Sequence, residues 1–145
     1  MLAEAGKFVN FANGKRSELK YHAMPDGAAV IPLADGYVYV NNAEIDFGGG
    51  GVYGLYFDND GNVVDYKMLL SGTSRSCSGG KTPWNTYISC EEVKGGQCWQ
   101  VDPDPSSKHH SRPEVTLLGG VDGGYFEAIV STWLALEWSD VSYWC

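Results

Sequence analysis

The sequence predicts an all-β protein. Two observations carry this prediction: short apolar or alternating runs follow one another between turn residues, and the same order of runs recurs after about 48 residues. The composition, 43% hydrophobic and 19% charged, is typical of a folded globular protein. A chain of 145 residues is also long enough to bury the core of one domain.

Four strands are predicted in the first unit, at residues 28–33, 37–41, 52–57 and 63–70. Residues 1–25 before them are weakly patterned. The run Pro25-Asp26-Gly27 that follows predicts a tight turn. Residues 48–51 are predicted to connect the second and third strands. Residues 58–62, Asp-Asn-Asp-Gly-Asn, are predicted to form the hairpin connection between the third and fourth strands.

The same order recurs in a second unit. Residues 36–45 align with 84–93, which places Glu44 on Glu92, and residues 53–58 and 68–70 align with 97–102 and 116–118. A third unit opens at residues 121–130. Four strands in about 45 residues is the size of a propeller blade. The chain is therefore predicted to be a partial β-propeller of about two four-stranded blades and the start of a third.

This interpretation divides the chain into a lead-in at residues 1–25, the partial propeller at 26–130 and an atypical tail at 131–145. Closed propellers need at least about four blades, so the chain is expected to be a fragment. Open sheet edges at both ends would favour self-association.

The segment from Cys77 to Glu92 holds the densest set of candidate functional residues. Glycines and a proline predict a loop at its start, and Thr86, Tyr87 and Ile88 predict the strand that follows. Neighbouring side chains of a strand point to opposite faces, so only one of Glu91 and Glu92 can face a given site. The repeat favours Glu92.

Two kinds of side chain, glutamate carboxylates and a cysteine thiol, could hold a metal ion. Glu44 and Glu92 occupy equivalent positions of the repeat, so their carboxylates could converge and share a cation, although each could instead cap a loop. Cys77 could supply a thiolate, which selects a softer transition metal, or it could be a small buried apolar residue. Glu127, after a Gly-Gly pair, is a third candidate carboxylate or an exposed strand end.

Net charge, apolar runs and cysteine usage argue against several classes of protein. A net charge of −8 disfavours nucleic acid as a partner. No apolar run is long enough for a membrane span or an export signal. The four cysteines match no zinc module and are too few for a disulfide scaffold, so they leave the compartment open, and Cys90 is expected in the core.

Several motifs together resemble the PhoX-type alkaline phosphatases, a β-propeller family of exported phosphomonoesterases. They are residues 26–30 and 37–44, the pattern Cys-x-Gly-Gly-x-Thr-Pro-Trp-x-Thr-x-x-x-Cys-Glu-Glu that starts at Cys77, and Asp-Gly-Gly-Tyr-Phe-Glu ending at Glu127. The resemblance runs from about His22 to Ala128.

The resemblance implies a site for calcium and iron on the propeller axis, and a small-molecule phosphate ester as substrate. Carried over by position, Cys77 would be the iron-bound thiolate. Glu44, Glu92 and Glu127, and also Glu91, would be metal-ligating carboxylates. The family further implies a periplasmic or secreted protein.

The chain departs from the family pattern at Ser76, Tyr125 and Val93, where asparagine, arginine and asparagine are common. Because of these departures and the missing blades, we expect little or no phosphatase activity from this chain alone. Two other functions stay open: a calcium-dependent propeller lactonase-type hydrolase, which has no use for the thiolate, and a propeller that binds a partner without catalysis.

Overall fold

The structure is a computed structural model that describes residues 2–107. This part of the chain contains nine strands: β1 (Phe8–Asn10), β2 (Arg16–Lys20), β3 (Pro25–Leu33), β4 (Gly36–Ala43), β5 (Gly50–Phe57), β6 (Val63–Thr73), β7 (Ser76–Lys81), β8 (Tyr87–Glu91) and β9 (Cys98–Val101). They form three antiparallel sheets, and residues 2–107 contain no helix. The all-β prediction is confirmed. The described residues accordingly hold no helix that could cross a membrane.

The first large sheet is a four-stranded meander in the order β3-β4-β5-β6. Its strands contain all four predicted segments. A tight hairpin closes between Leu33 and Gly36, which are register partners. The predicted hairpin connection also forms, because Asp58 Oδ1 accepts hydrogen bonds from the backbone N–H groups of Asp60 and Asn62. This connection is an Asx-type turn, as the Asp-Asn-Asp-Gly-Asn run predicts.

The second sheet has the order β7-β8-β9. At the offset of 48 residues, β7 falls on residues 28–33 of β3, and β8 falls within β4. The repeat therefore predicts β8 correctly, whereas its alignments did not include β7. The fourth strand of this unit, at 116–118, and the third unit lie outside the described residues. No sheet of residues 2–107 closes on itself, so the propeller itself stays a prediction.

Two local predictions are wrong. Residues 76–81 form β7 where a loop was predicted, because Gly79 leaves room for the Tyr87 ring of the neighbouring strand, where a side chain would collide. Pro25-Asp26-Gly27 begins β3 in extended conformation, and the left-handed residue is Met24, with a φ of 48°. Residues 8–20, within the weakly patterned lead-in and without a predicted strand, form the hairpin β1-β2.

One apolar core is shared by the two larger sheets. It contains Ile31, Val38, Val40, Val52, Tyr56, Leu69, Leu70, Tyr87 and Val101. Hydrogen bonds of two tyrosine hydroxyls also connect the sheets. Tyr87 donates to the Gly27 carbonyl at 2.7 Å, and Tyr56 donates to the Pro103 carbonyl at 2.8 Å. This packing sets β3 against β7, with the backbone of Gly27 next to that of Cys77.

A second apolar cluster joins the β1-β2 hairpin to the outer face of the meander. Val9 is buried there with Leu55, Phe57, Val63 and Tyr66. His22 lies beside this cluster. It stacks on Tyr53 with ring centroids 4.5 Å apart, and its Nδ1 lies 2.9 Å from the Tyr66 hydroxyl. The lead-in is therefore packed on the domain through aromatic contacts.

Candidate metal centre

Asp26, Glu44 and Cys77 form the candidate centre. One ligand atom from each, two carboxylate oxygens and the thiol sulfur, lies within 4.8 Å of the others. Asp26 is exposed, whereas Glu44 and Cys77 are half-buried. The structure thus brings together two residues of the predicted set, Cys77 and Glu44, and adds Asp26.

The close approach of β3 and β7 produces this arrangement. A Cβ atom on Gly27 would lie 2.6 Å from the Cys77 carbonyl oxygen and 2.7 Å from the Gly79 nitrogen, so only glycine fits beside Asp26. Asn42, fully buried on β4, donates through Nδ2 to the carbonyls of Cys77 and Ser78, both at 3.0 Å. The backbone of Cys77 is therefore held between β3 and β4.

Glu92 approaches the centre through Arg75. Arg75 Nη2 donates to Glu92 Oε2 at 2.7 Å, and Arg75 Nε lies 3.8 Å from Glu44 Oε1. Both repeat-equivalent carboxylates therefore face one guanidinium group. Their role as metal ligands stays a prediction.

Glu91, the neighbour of Glu92, is engaged elsewhere. Its carboxylate accepts hydrogen bonds from Ser74 N at 2.7 Å, Gln97 N at 3.0 Å and Trp99 Nε1 at 3.2 Å. These contacts satisfy a buried charge and connect the β6–β7 turn to β9. Glu91 thus has a structural part in the fold.

The electrostatics of the centre are those expected of crowded acidic groups. Burial, followed by a hydrogen bond to Asp26 and the charges of Asp26, Glu44 and Glu92, raises the pKa of Cys77 to about 12. Burial and the charge of Asp26 raise the pKa of Glu44, against the opposing effect of Arg75. A cation among these groups would reverse the direction of both shifts, because it would favour the ionised forms.

The donor set fits the implied metals. Carboxylate oxygens suit calcium and ferric iron, and a thiolate adds affinity for a transition metal. The centre lies at the surface of the described part of the chain. A separate apolar hollow of about 390 Å³, lined by Leu2, Ala3, Tyr21, Val30, Tyr37, Tyr39, Leu55 and Phe57, contains none of the candidate ligands.

Sequence reasoning missed Asp26 and Arg75. Asp26 belongs to a motif that carries the resemblance, but it was assigned to a turn. Arg75 lies two residues before Cys77, and its charge beside an acidic repeat was the available signal. Glu127 lies outside the described residues.

A disulfide was also missed. Cys90 and Cys98 are fully buried cross-strand partners of β8 and β9 and are joined by a disulfide bond. The interior position expected for Cys90 is confirmed, but its covalent partner was not predicted. The bond closes the connection that carries Glu91 and Glu92.

Over residues 2–107 the fold and the cluster define an antiparallel all-β arrangement with a candidate site for a metal ion that binds oxygen or sulfur ligands. The family model described as alkaline phosphatase PhoX matches residues 57–127. The predicted resemblance to this family is thus confirmed. No curated protein and no solved structure matches the chain.

Proposed function

We propose that this chain is part of a PhoX-like, metal-dependent phosphatase that hydrolyses phosphate monoesters. One observation carries the proposal: the Cys77 sulfur, inside the matched segment, lies within 4.8 Å of carboxylate oxygens of Asp26 and Glu44, which precede that segment. A thiol among carboxylates is a donor set for calcium together with iron. It is not needed for a calcium site alone.

Each residue has a part in this proposal. Cys77 would hold iron, and Asp26 and Glu44 would hold the cations through oxygen. Bound cations would neutralise the phosphate dianion and polarise its phosphorus towards attack by an oxygen nucleophile. Asn42 keeps the backbone of Cys77 in place by its two hydrogen bonds, so the sulfur is positioned before any ligand binds.

The buried disulfide supports an oxidising compartment, since such bonds persist in exported proteins and are rare in the cytosol. The proposal therefore includes export to the periplasm or the medium.

Metal content tests the proposal directly. The purified 145-residue chain is stripped of metal, loaded with calcium and ferric iron, desalted and subjected to elemental analysis. We expect both metals in the wild-type protein, loss of iron with retained calcium in Cys77→Ser, and no loss in the control Ser78→Ala on the same strand. Folded wild-type protein that retains neither metal would favour the non-catalytic binding module, and calcium without iron would favour the lactonase type.

Substrate chemistry is tested with the metal-loaded chain. We expect inorganic phosphate to bind in calorimetry and p-nitrophenyl phosphate to be hydrolysed at little above the background rate. Absence of phosphate binding to protein that does hold both metals would contradict a phosphomonoesterase. Rapid hydrolysis that Cys77→Ala abolishes would instead overturn the expected low activity of this chain.

A further inference from the structure

Arg75 occupies a backbone position that a side chain rarely adopts. It lies in the turn between β6 and β7 with a φ of 49°, in the left-handed region where glycine or asparagine is usual. Two backbone hydrogen bonds hold it there: Arg75 N donates to the Ile45 carbonyl, and Glu92 N donates to the Arg75 carbonyl, each at 2.9 Å. A strained residue held from both sides is a candidate for a functional constraint.

The side chain of Arg75 lies close to three carboxylates. The guanidinium donates to Glu92 at 2.7 Å and lies 3.8 Å from Glu44 and 3.9 Å from Asp46. Glu44 and Asp46 lie in the β4–β5 connection, and Glu92 is the residue after β8. One cation therefore faces acidic groups of both units of the repeat.

Without this cation the carboxylates would repel one another. Burial and then the negative charges of Asp26 and Glu92 raise the pKa of Glu44, and the charge of Arg75 opposes this rise. A planar guanidinium can orient two carboxylates at once through its fork of N–H donors, whereas the ammonium group of lysine acts as a point charge.

We propose that Arg75 is a positioning residue that sets the mutual placement of Glu44 and Glu92 beside Cys77 and so tunes the affinity of the centre for cations. The proposal deepens the proposed function and depends on it, because it needs the centre to bind metal. Groups that orient metal ligands from outside the coordination sphere typically contribute 10–100-fold to metal affinity, roughly the effect expected here.

Two effects of Arg75 on metal affinity have opposite signs, and substitutions separate them. As a mere positive charge, Arg75 would repel a cation, so Arg75→Gln would bind calcium more tightly and Arg75→Lys would bind it unchanged. As a positioning residue, Arg75 would be needed for its shape, so both variants would bind calcium more weakly, since lysine retains the charge but lacks the fork.

The test is calorimetric titration of the metal-stripped 145-residue chain with calcium, with circular dichroism as a check of folding. We expect the dissociation constant to rise roughly tenfold or more in Arg75→Lys and in Arg75→Gln. The control Arg16→Gln makes the same charge change on β2, where the arginine lies over the Phe8 ring, and should bind as the wild type does.

Unchanged or tighter binding in either folded variant overturns the proposal while the wild-type result still supports the metal site. If wild-type protein itself binds no calcium, the proposed function fails first. Should Arg75→Gln not fold, Arg75→Lys alone decides the outcome, because it preserves the charge at the turn.

Discussion

The two larger sheets share a strand order but are stabilised by different interactions. In the meander β3–β6, aliphatic side chains such as Val38, Val40 and Val52 are fully buried. In β7–β9, a disulfide, the three hydrogen bonds of Glu91 and the hydroxyl contacts of Thr82 and Thr86 join the strands. The repeat therefore reproduces the strand order, but the two sheets are stabilised by different kinds of interaction.

The difference coincides with the location of the candidate centre. The sheet that carries Cys77 and Glu91 has little aliphatic surface, because its strands are rich in glycine, serine and cysteine and contain only two aliphatic residues, Ile88 and Val101. Polar and covalent links hold such a backbone in place where apolar burial is small. The ligand-bearing sheet should consequently respond to reductant and to loss of charge, and the meander should respond to loss of volume.

The largest effect is expected from the core of the meander. Ile31→Ala should lower the free energy of unfolding by about 2–5 kcal/mol, since it removes a fully buried side chain and leaves a cavity. Val30, next to it on β3, is 55% exposed, so Val30→Ala should cost less than about 0.5 kcal/mol. Urea denaturation measures both, and equal losses would contradict the assigned core face.

Acid should weaken the aromatic packing around His22. Burial lowers the pKa of His22 to about 4 from its ordinary 6.5, so the folded chain keeps the ring neutral while the unfolded chain takes up a proton. Stability should therefore fall as the pH drops from about 6.5 to about 4, by up to roughly 3 kcal/mol.

Denaturation curves across this pH range measure the loss. The step should be absent in His22→Gln, which has no imidazole to protonate. A wild-type curve of stability against pH that matches that of the variant would show that His22 is not responsible.

Reduction should affect the second sheet selectively. The disulfide spans a separation of 8 residues, and opening so short a loop should cost about 2–3 kcal/mol. Hydrogen exchange with and without reductant should show amides of β8 and β9 losing more protection than those of β4 and β5. Cys90→Ser/Cys98→Ser should reproduce the effect, and uniform loss across both sheets would contradict the comparison.

The smallest effect separates the two adjacent glutamates. Glu91→Gln should lower stability by about 1–2 kcal/mol, because its buried hydrogen bonds lose their charge, and should leave calcium affinity unchanged. Glu92→Gln should lower the calcium affinity and should leave the stability unchanged. Thermal unfolding and calorimetry with calcium measure the pair, and a loss of calcium affinity in Glu91→Gln would reassign that residue to the centre.

Local patterning predicted much of the described fold. All four strands of the meander and the strand β8 lie where branched and aromatic residues predict them, and the Asp58 turn follows its Asx signature. The strand β7 was missed because glycine disfavours strands in isolation. Only the Tyr87 ring on the neighbouring strand explains why Gly79 belongs in a sheet.

The candidate site was predicted in part for a related reason. The repeat and the family motifs identify Cys77, Glu44 and Glu92 from their order along the chain. Neither could identify Asp26 as the neighbour of Cys77, because that contact depends on the packing of β3 on β7. Nor could spacing alone show that Cys90 and Cys98 face each other, since the register of β8 and β9 decides it.

The sequence by itself determined the all-β class, the order of most strands and the acidic, thiol-bearing composition of the candidate centre, because these follow from side-chain type and local turn signals. The tertiary structure alone decided which of the acidic groups meet the sulfur, which glutamate is used in the fold, and that Arg75 lies between the two units. Those outcomes depend on strand register and on the approach of sheets that are distant in the chain, which no local pattern encodes.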